Sequence, residues 1–499
     1  MKRKLICSVL LTSLLAVGCS EDFLDPVRND TVLTTADISD YVDVNPALVD
    51  GSLEGIYSYM ITPRGVLGAA ANRHYDFGHK SLDIWSDMVC GDMALSANSY
   101  GWYQDTANMI VTVDYTQEEN RIIWQYLYKV VSLSNLVINS LGGNDAVQET
   151  DQTRHAMGQA KALRGYAYFY LTQFFQKTYN PEESILPYTD GETSIPSKVP
   201  ASQIYDLIIS DLTESIDLLG DFTRENKHQI DKSVAQGLLA YTYAAMGENT
   251  QAKALCDQII ASGYPLTTTA QLSYPGAGSG FNDVTTPSWM WGYDITEAMG
   301  QQLINWWGQV DYYTFSYAAA GDKKAMDNNL YSNFPTNDVR RSQFSTVTSR
   351  LLMPTNKFFD PGRTASGQQV ITTDYIFMRV DEFYLLGAEC AAKAGDEAGA
   401  KTLMIQLLTG RLGGATNAQN YINPLSGQAL RDAIYLQTRL ELWGEGKSYF
   451  AMKRNQATVT RGTNHVFRPG ASFQYNSDEI SFQIPQYEMN NNPAITSQN

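Results

Sequence analysis

The sequence predicts a mainly α-helical fold, a tetratricopeptide-like superhelix of helical hairpins that carries a long irregular, loop-rich insertion. Three observations predict it. The stretch from Thr373 to Gly410 repeats one that lies about 148 residues earlier, without a slip in spacing. Apolar residues recur at helical spacing over most of the chain outside that pair. Between Tyr264 and Gln369 the periodicity stops for roughly a hundred residues, too long for a plain loop in a compact domain.

The repeat aligns Leu386, Ala388, Gly395, Asp396, Ala400, Lys401, Leu403, Gln406, Leu407 and Leu408 with Leu238, Ala240, Gly247, Glu248, Ala252, Lys253, Leu255, Gln258, Ile259 and Ile260. Each copy reads as a helix ending in small residues, a glycine stop, an acidic residue able to cap a new helix, and a second amphipathic run. Such a hairpin cannot bury its apolar face alone, so it needs neighbours stacked on it. The remaining elements follow in order. Ala47 to Met60 reads as a first helix, Glu118–Leu141 and Thr150–Phe175 as a hairpin joined through Gly142-Gly143-Asn144, and Ala201–Leu219 as a further helix. Ser426 to Arg454 closes the helical part, and the tail from Gly470 is short and extended, with Pro485 barring a helix there. The organisation is a leader at 1–18 and a single domain at 19–499. Its scaffold covers about 40–262 and 373–455, its irregular regions about 64–114 and 264–370, and its tail 470–499.

The N-terminus predicts a compartment. Lys2 to Lys4 form a basic region, Leu5 to Val17 a short apolar one, and Ala16-Val17-Gly18-Cys19 a small-residue cleavage site. Thirteen residues are too few for an ordinary membrane-spanning helix. The pattern is that of a bacterial lipoprotein, with Cys19 as the acylated first residue and lipid anchor, although Ala16 stands where a leucine is usual. Several acyl chains give a stable anchor where one does not. Glu21-Asp22 is similar to the export signal that carries some lipoproteins to the outer face of the outer membrane. The remaining Cys90, Cys256 and Cys390 are odd in number and lack metal-ligand spacing, so no disulfide framework is expected, and Cys256 and Cys390 read as small core residues. The formal charge of −17 argues against nucleic acid or an anionic membrane surface as ligand.

The irregular regions hold the candidate binding residues. Tyr100 and Trp102 lie in the first; Trp289, Trp291, Trp306, Trp307, Tyr312 and Tyr313 lie in the second, among amides and few aliphatic residues. Flat rings offer apolar faces to sugar C–H groups or side chains, and amides or carboxylates read hydroxyls and backbone groups. Both regions are expected to project from one side of the helical stack. HExxH, GxSxG and a phosphate-binding GxxxxGK[ST] are missing, so no catalytic residue is assigned and no cofactor is expected. No metal site is assigned either: His74, Asp76 and His79 form the one histidine cluster, with an i, i+5 spacing that only a loop could bring together.

Several segments resemble the SusD/RagB outer-membrane nutrient-binding lipoproteins along nearly the whole chain. They are Cys19-Ser20-Glu21-Asp22-Phe23-Leu24-Asp25, the run Ala160-Lys161-Ala162-Leu163-Arg164-Gly165-Tyr166-Ala167-Tyr168-Phe169, Arg379 with Glu382 and Ala388-Glu389, Arg439 with Glu441-Leu442 and Glu445-Gly446, and Ile484-Pro485 with Glu488 and Asn492-Pro493. The resemblance implies a binding module, not an enzyme, anchored at Cys19 and facing the cell exterior. It would act as a lid on a SusC-type TonB-dependent barrel transporter, alone or with other surface lipoproteins, and deliver oligosaccharides or, in some members, oligopeptides. It transfers no ligand contacts. Arg164, Glu382, Arg439 and Glu441 are expected to form buried ion pairs between helices.

Overall fold

The computed structural model describes residues 47–499, so the leader and Cys19 lie outside the described residues. The scaffold begins with α1 (Ala47–Tyr59), α2 (His79–Val89), α3 (Glu118–Ser140), α4 (Asp151–Phe175), α5 (Ala201–Leu218), α6 (Lys232–Met246) and α7 (Asn249–Ala261). It resumes with α8 (Asp381–Lys393), α9 (Glu397–Thr409), α10 (Ala415–Ile422), α11 (Gly427–Glu441) and α12 (Ser448–Arg454). Consecutive helices pack on one another from α3 through α10, including α7 on α8 although the long insertion separates them. The two copies of the repeat are therefore direct neighbours in the stack, which is how each covers the apolar face the other cannot bury alone. The approach is close: a Cβ on Gly387 of α8 would stand 3.1 Å from the Cβ of Cys256 in α7.

Within each copy the turn forms as its glycine dictates. Gly247 and Gly395 sit at φ of 85° and 89°, in the left-handed region that an L side chain avoids. The two capping positions differ. Asp396 accepts from the Gly399 N–H at 2.8 Å, whereas Glu248, one methylene longer, stands at the N-cap without a side-chain bond. Helix α4 is buried from Ala156 to Phe175 on nearly every side, because its neighbours flank it all round.

Three expectations require correction, and one segment without an assigned element proves to be regular. The first residues of the second repeat copy are a strand, since Tyr375–Arg379 pairs antiparallel with Trp289–Tyr293 of the insertion. Between 64 and 114 the chain forms α2, eleven residues that are buried throughout despite His79, Lys80, Asp83 and Asp87. Several of its polar groups find partners inside: Lys80 pairs with Asp83, and one Asp87 oxygen accepts from the Gly444 N–H. The segment 184–200, in no assigned helix, is a β-hairpin of Ser184–Thr189 and Ser194–Pro200. Pro485 does not bar a helix; it is the N-cap of a short one over Gln486–Asn491, a place where its missing N–H costs nothing.

The buried charges of the helices are organised around one acid. Glu441 accepts from three guanidiniums, those of Arg340, Arg379 and Arg411, at 2.8, 2.9 and 2.7 Å. Asp338 and Asp381 pair with Arg340 and Arg411, and Glu445 bridges Arg379 and Lys357. Arg164 pairs with Asp211 and Arg439 with Asp92. Glu382 is the exception: it accepts from the Tyr241 hydroxyl and the Arg379 N–H and pairs with no cation, and burial raises its pKa.

Candidate functional site

The two irregular regions meet edge to edge. Met93–Leu95 of the first pairs antiparallel with Lys324–Met326 of the second. Just beyond that ladder, the buried carboxylate of Asp322 accepts from the backbone N–H groups of Ser99, Tyr100 and Trp102 at 2.6, 2.7 and 3.1 Å. Three donors on one carboxylate fix the 99–102 loop on the insertion. The rings on that loop are consequently held against rings of the other region.

The result is an aromatic cluster open to solvent. His74 stacks on Trp102 with centroids 4.6 Å apart and planes 5° from parallel. Tyr317 lies 5.8 Å from Trp102 and 5.3 Å from Tyr100, and its hydroxyl bonds His74 Nδ1 at 2.6 Å. Tyr100 is 63% exposed and Phe315 51%, unusual values for large rings, while His74, Trp102 and Tyr317 are half-buried. Burial holds the His74 imidazole below its ordinary pKa, so at neutral pH the ring is uncharged and Trp102 has an uncharged stacking partner. Beside Trp102 opens a pocket of about 270 Å³ lined by Arg73, Gln104, Asp105, Gln117 and Glu118. An indole wall with amides, carboxylates and a guanidinium within reach suits a polyhydroxylated ligand.

The other predicted aromatics lie elsewhere. Trp289, Trp291, Trp306 and Trp307 are each 1% exposed and belong to the main core. They offer no face to a ligand in this structure. Trp291 donates to the His228 carbonyl at 2.8 Å and packs on Tyr166 and Phe377; Trp306 and Trp307 pack on Phe358. Tyr313 is nearly buried and Tyr312 half-buried, 5.4 Å apart, on the stretch that leads to Phe315 and Tyr317. Sequence reasoning missed His74 and Tyr317 as rings of the cluster, Phe315 as the exposed ring two positions before Tyr317, and Asp322 as the group that positions the loop of Tyr100 and Trp102. The density of rings in 312–317 was a signal for two of these; nothing local marks Asp322. The histidine cluster does not converge, because His79 is buried against Tyr166 at 2.6 Å while His74 faces Tyr317 and Asp76 accepts from the Val66 and Leu67 N–H groups.

Fold and cluster define a class: a helical-repeat scaffold that presents a partly exposed aromatic cluster built from its insertions. A profile of SusD-like proteins described as "Starch-binding associating with outer membrane" matches residues 61–244, and that of the SusD family matches 274–499. The chain belongs to the SusD/RagB family. Solved structures agree in fold. A SusD-like carbohydrate binding protein from Bacteroides vulgatus superposes with TM-score 0.73 at 22% identity, covering 90% of this chain and 97% of its own. A SusD superfamily protein from Bacteroides fragilis gives 0.70 at 24%, covering 91% and 99%. Surface glycan-binding protein A from Bacteroides thetaiotaomicron gives 0.67 at 16%, covering 90% and 98%. No curated relative matches the sequence.

Proposed function

We propose that the protein is a surface lipoprotein that binds oligosaccharides at the His74, Tyr100, Trp102 and Tyr317 cluster, without catalysis, and passes them to a SusC-type TonB-dependent barrel transporter. The observation that carries the reading is the stacked and partly exposed Trp102, clamped by Asp322 at the junction of the two insertions. A rigid, half-open indole is a surface on which a sugar ring can lie at little cost in ordering. Membership of the SusD family supports the same class of ligand, as does the likeness to proteins named for glycan binding.

The test compares two tryptophans in one assay. Trp102→Ala should weaken oligosaccharide binding by about 1–3 kcal/mol, the scale of a stacking anchor, with the melting temperature little changed. Trp306→Ala should instead cost about 3–5 kcal/mol of stability through the cavity it leaves in the core. Unaltered binding by folded Trp102→Ala protein would move the site elsewhere, and binding of oligopeptides in place of sugars would change the ligand class.

Delivery needs a partner, because no helix among the described residues is long and apolar enough to cross a membrane. Anchoring at Cys19 and association with the barrel are tested together. Cys19→Ala should free the protein from the outer membrane, and mild detergent extraction of the unaltered protein should bring down a partner of barrel-transporter size. Unchanged surface retention of the variant, or recovery of the lipoprotein alone, overturns the corresponding half of the proposal.

A further inference from the structure

In a chain of net charge −17, three guanidiniums line one pocket and none of them is neutralised. The pocket, about 410 Å³, lies in the second irregular region and is walled by Arg341, Arg350 and Arg363 with Tyr313, Ser345 and Asn356. Arg363 is rigid. It donates to the Thr355 carbonyl at 2.9 Å, the Tyr313 hydroxyl at 2.8 Å and Asn356 Oδ1 at 2.9 Å, and lies over the Tyr274, Tyr313 and Phe359 rings. Arg341 donates to the Phe334 carbonyl at 3.3 Å and lies over Tyr331. Arg350 lies over Tyr312, and its Nε is buried without a hydrogen-bond partner. Among the described residues no carboxylate forms an ion pair with any of the three. The neighbouring Arg340, one residue from Arg341, is by contrast buried on two acids, Asp338 and Glu441. Three half-buried guanidiniums around one pocket, held by rings, hydroxyls and carbonyls, are a suitable arrangement for a planar or tetrahedral oxyanion.

The segment that carries the pocket is tied to the one that carries the aromatic cluster. Lys323 Nζ donates to the Ser349 carbonyl at 2.6 Å, so the residue next to Arg350 is tied to the residue next to Asp322, the clamp of the Tyr100 and Trp102 loop. Tyr312, under Arg350, leads along the chain to Phe315 and Tyr317. Building on the proposed glycan-binding role, we propose that Arg341, Arg350 and Arg363 receive the acidic group of an oligosaccharide, a uronic acid carboxylate or a sugar sulfate, whose neighbouring rings lie on the aromatic cluster. The charge of the chain as a whole would repel such a ligand, so the attraction has to be local and to come from these half-buried guanidiniums.

Calorimetric titration of the whole protein with an oligogalacturonate, a sulfated oligosaccharide and a neutral oligosaccharide of equal length tests this. An acidic ligand should bind more tightly than the neutral one, and carboxylate against sulfate is read from which acidic arm binds. Arg350→Gln and, separately, Arg341→Gln should weaken the acidic ligand about tenfold or more, leaving any neutral binding unchanged. Both are half-buried, and an unchanged melting temperature certifies their folds; Arg363→Gln is the more disruptive third variant. Equal or tighter binding of the neutral ligand by unaltered protein, or acidic binding untouched by folded Arg350→Gln and Arg341→Gln, overturns the anion pocket while oligosaccharide binding stands. Binding of none of the three overturns both readings.

Discussion

Glu119 shows how one side chain can tie stability to pH beside a binding surface. It stands in the first turn of α3, almost wholly buried on the wall of the pocket next to Trp102, with Asp105 and Glu118 nearby. Burial is the main cause that pushes its pKa up to about 7, and the two neighbouring acids add to it. A carboxyl whose folded pKa lies above its unfolded value favours the folded state fully at low pH, and that contribution disappears as pH rises through about 7. Glu119→Gln removes the dependence. Its stability relative to the unaltered protein should therefore improve by about 1–3 kcal/mol between about pH 5 and about pH 8. Denaturant titrations at the two pH values measure it, and parallel curves for the two proteins would show that Glu119 does not titrate in this range. Tyr100 and Trp102 make the complementary point about exposure: they lie two positions apart in a polar loop, yet one is 63% exposed and the other half-buried under His74.

At the scale of elements, legibility follows the period. Helices α3, α4 and α5 could be read to within about two residues, since an amphipathic run between a cap and a glycine is local information. Helix α2 could not. Its sequence, His79 to Val89, mixes four ionisable residues into a segment that is buried throughout, and only partners distant in sequence make that tolerable: Tyr166 for His79, Gly444 for Asp87. The same non-locality hid the site. Clusters of tryptophan suggested a binding surface, but Trp306 and Trp307 are closed in by Phe358, about fifty residues further on. Tyr317 meets Trp102 only because a three-residue ladder joins two irregular regions. Composition pointed to the two irregular regions, and the tertiary contacts decided which of their rings stay outside.

For the molecule as a whole, the buried charges tie insertion to scaffold. Arg340 and Lys357 come from the insertion, Arg379 from the strand before α8, Arg411 from beyond α9, and all four converge on Glu441 and Glu445. Burial would raise both acids, yet the guanidiniums hold Glu441 well below the usual range and, with Lys357, hold Glu445 down to about 2. Their stabilising contribution is present above about pH 4.5 and is lost as pH falls through the folded values. Glu441→Gln leaves three buried guanidiniums short of a counter-charge and should cost about 3–5 kcal/mol at neutral pH, read from thermal or denaturant unfolding. A loss of under about 1 kcal/mol would mean that the remaining acids suffice.

The contact of α7 with α8 across the insertion sets the order in which the chain can fold. In an array of consecutive repeats each unit settles on the one just made, and structure spreads along the sequence. Here the apolar side of α7 waits for a helix more than a hundred residues later. Asp92 waits still longer for Arg439, and the end of α4 for Phe482, whose N–H donates to the Phe174 carbonyl at 3.0 Å. Such closures make folding slow and collective. If the proposed export holds, a chain threaded through a membrane N-terminus first would keep these apolar faces uncovered until its last third arrives, and an escort that covers them would protect it from aggregation.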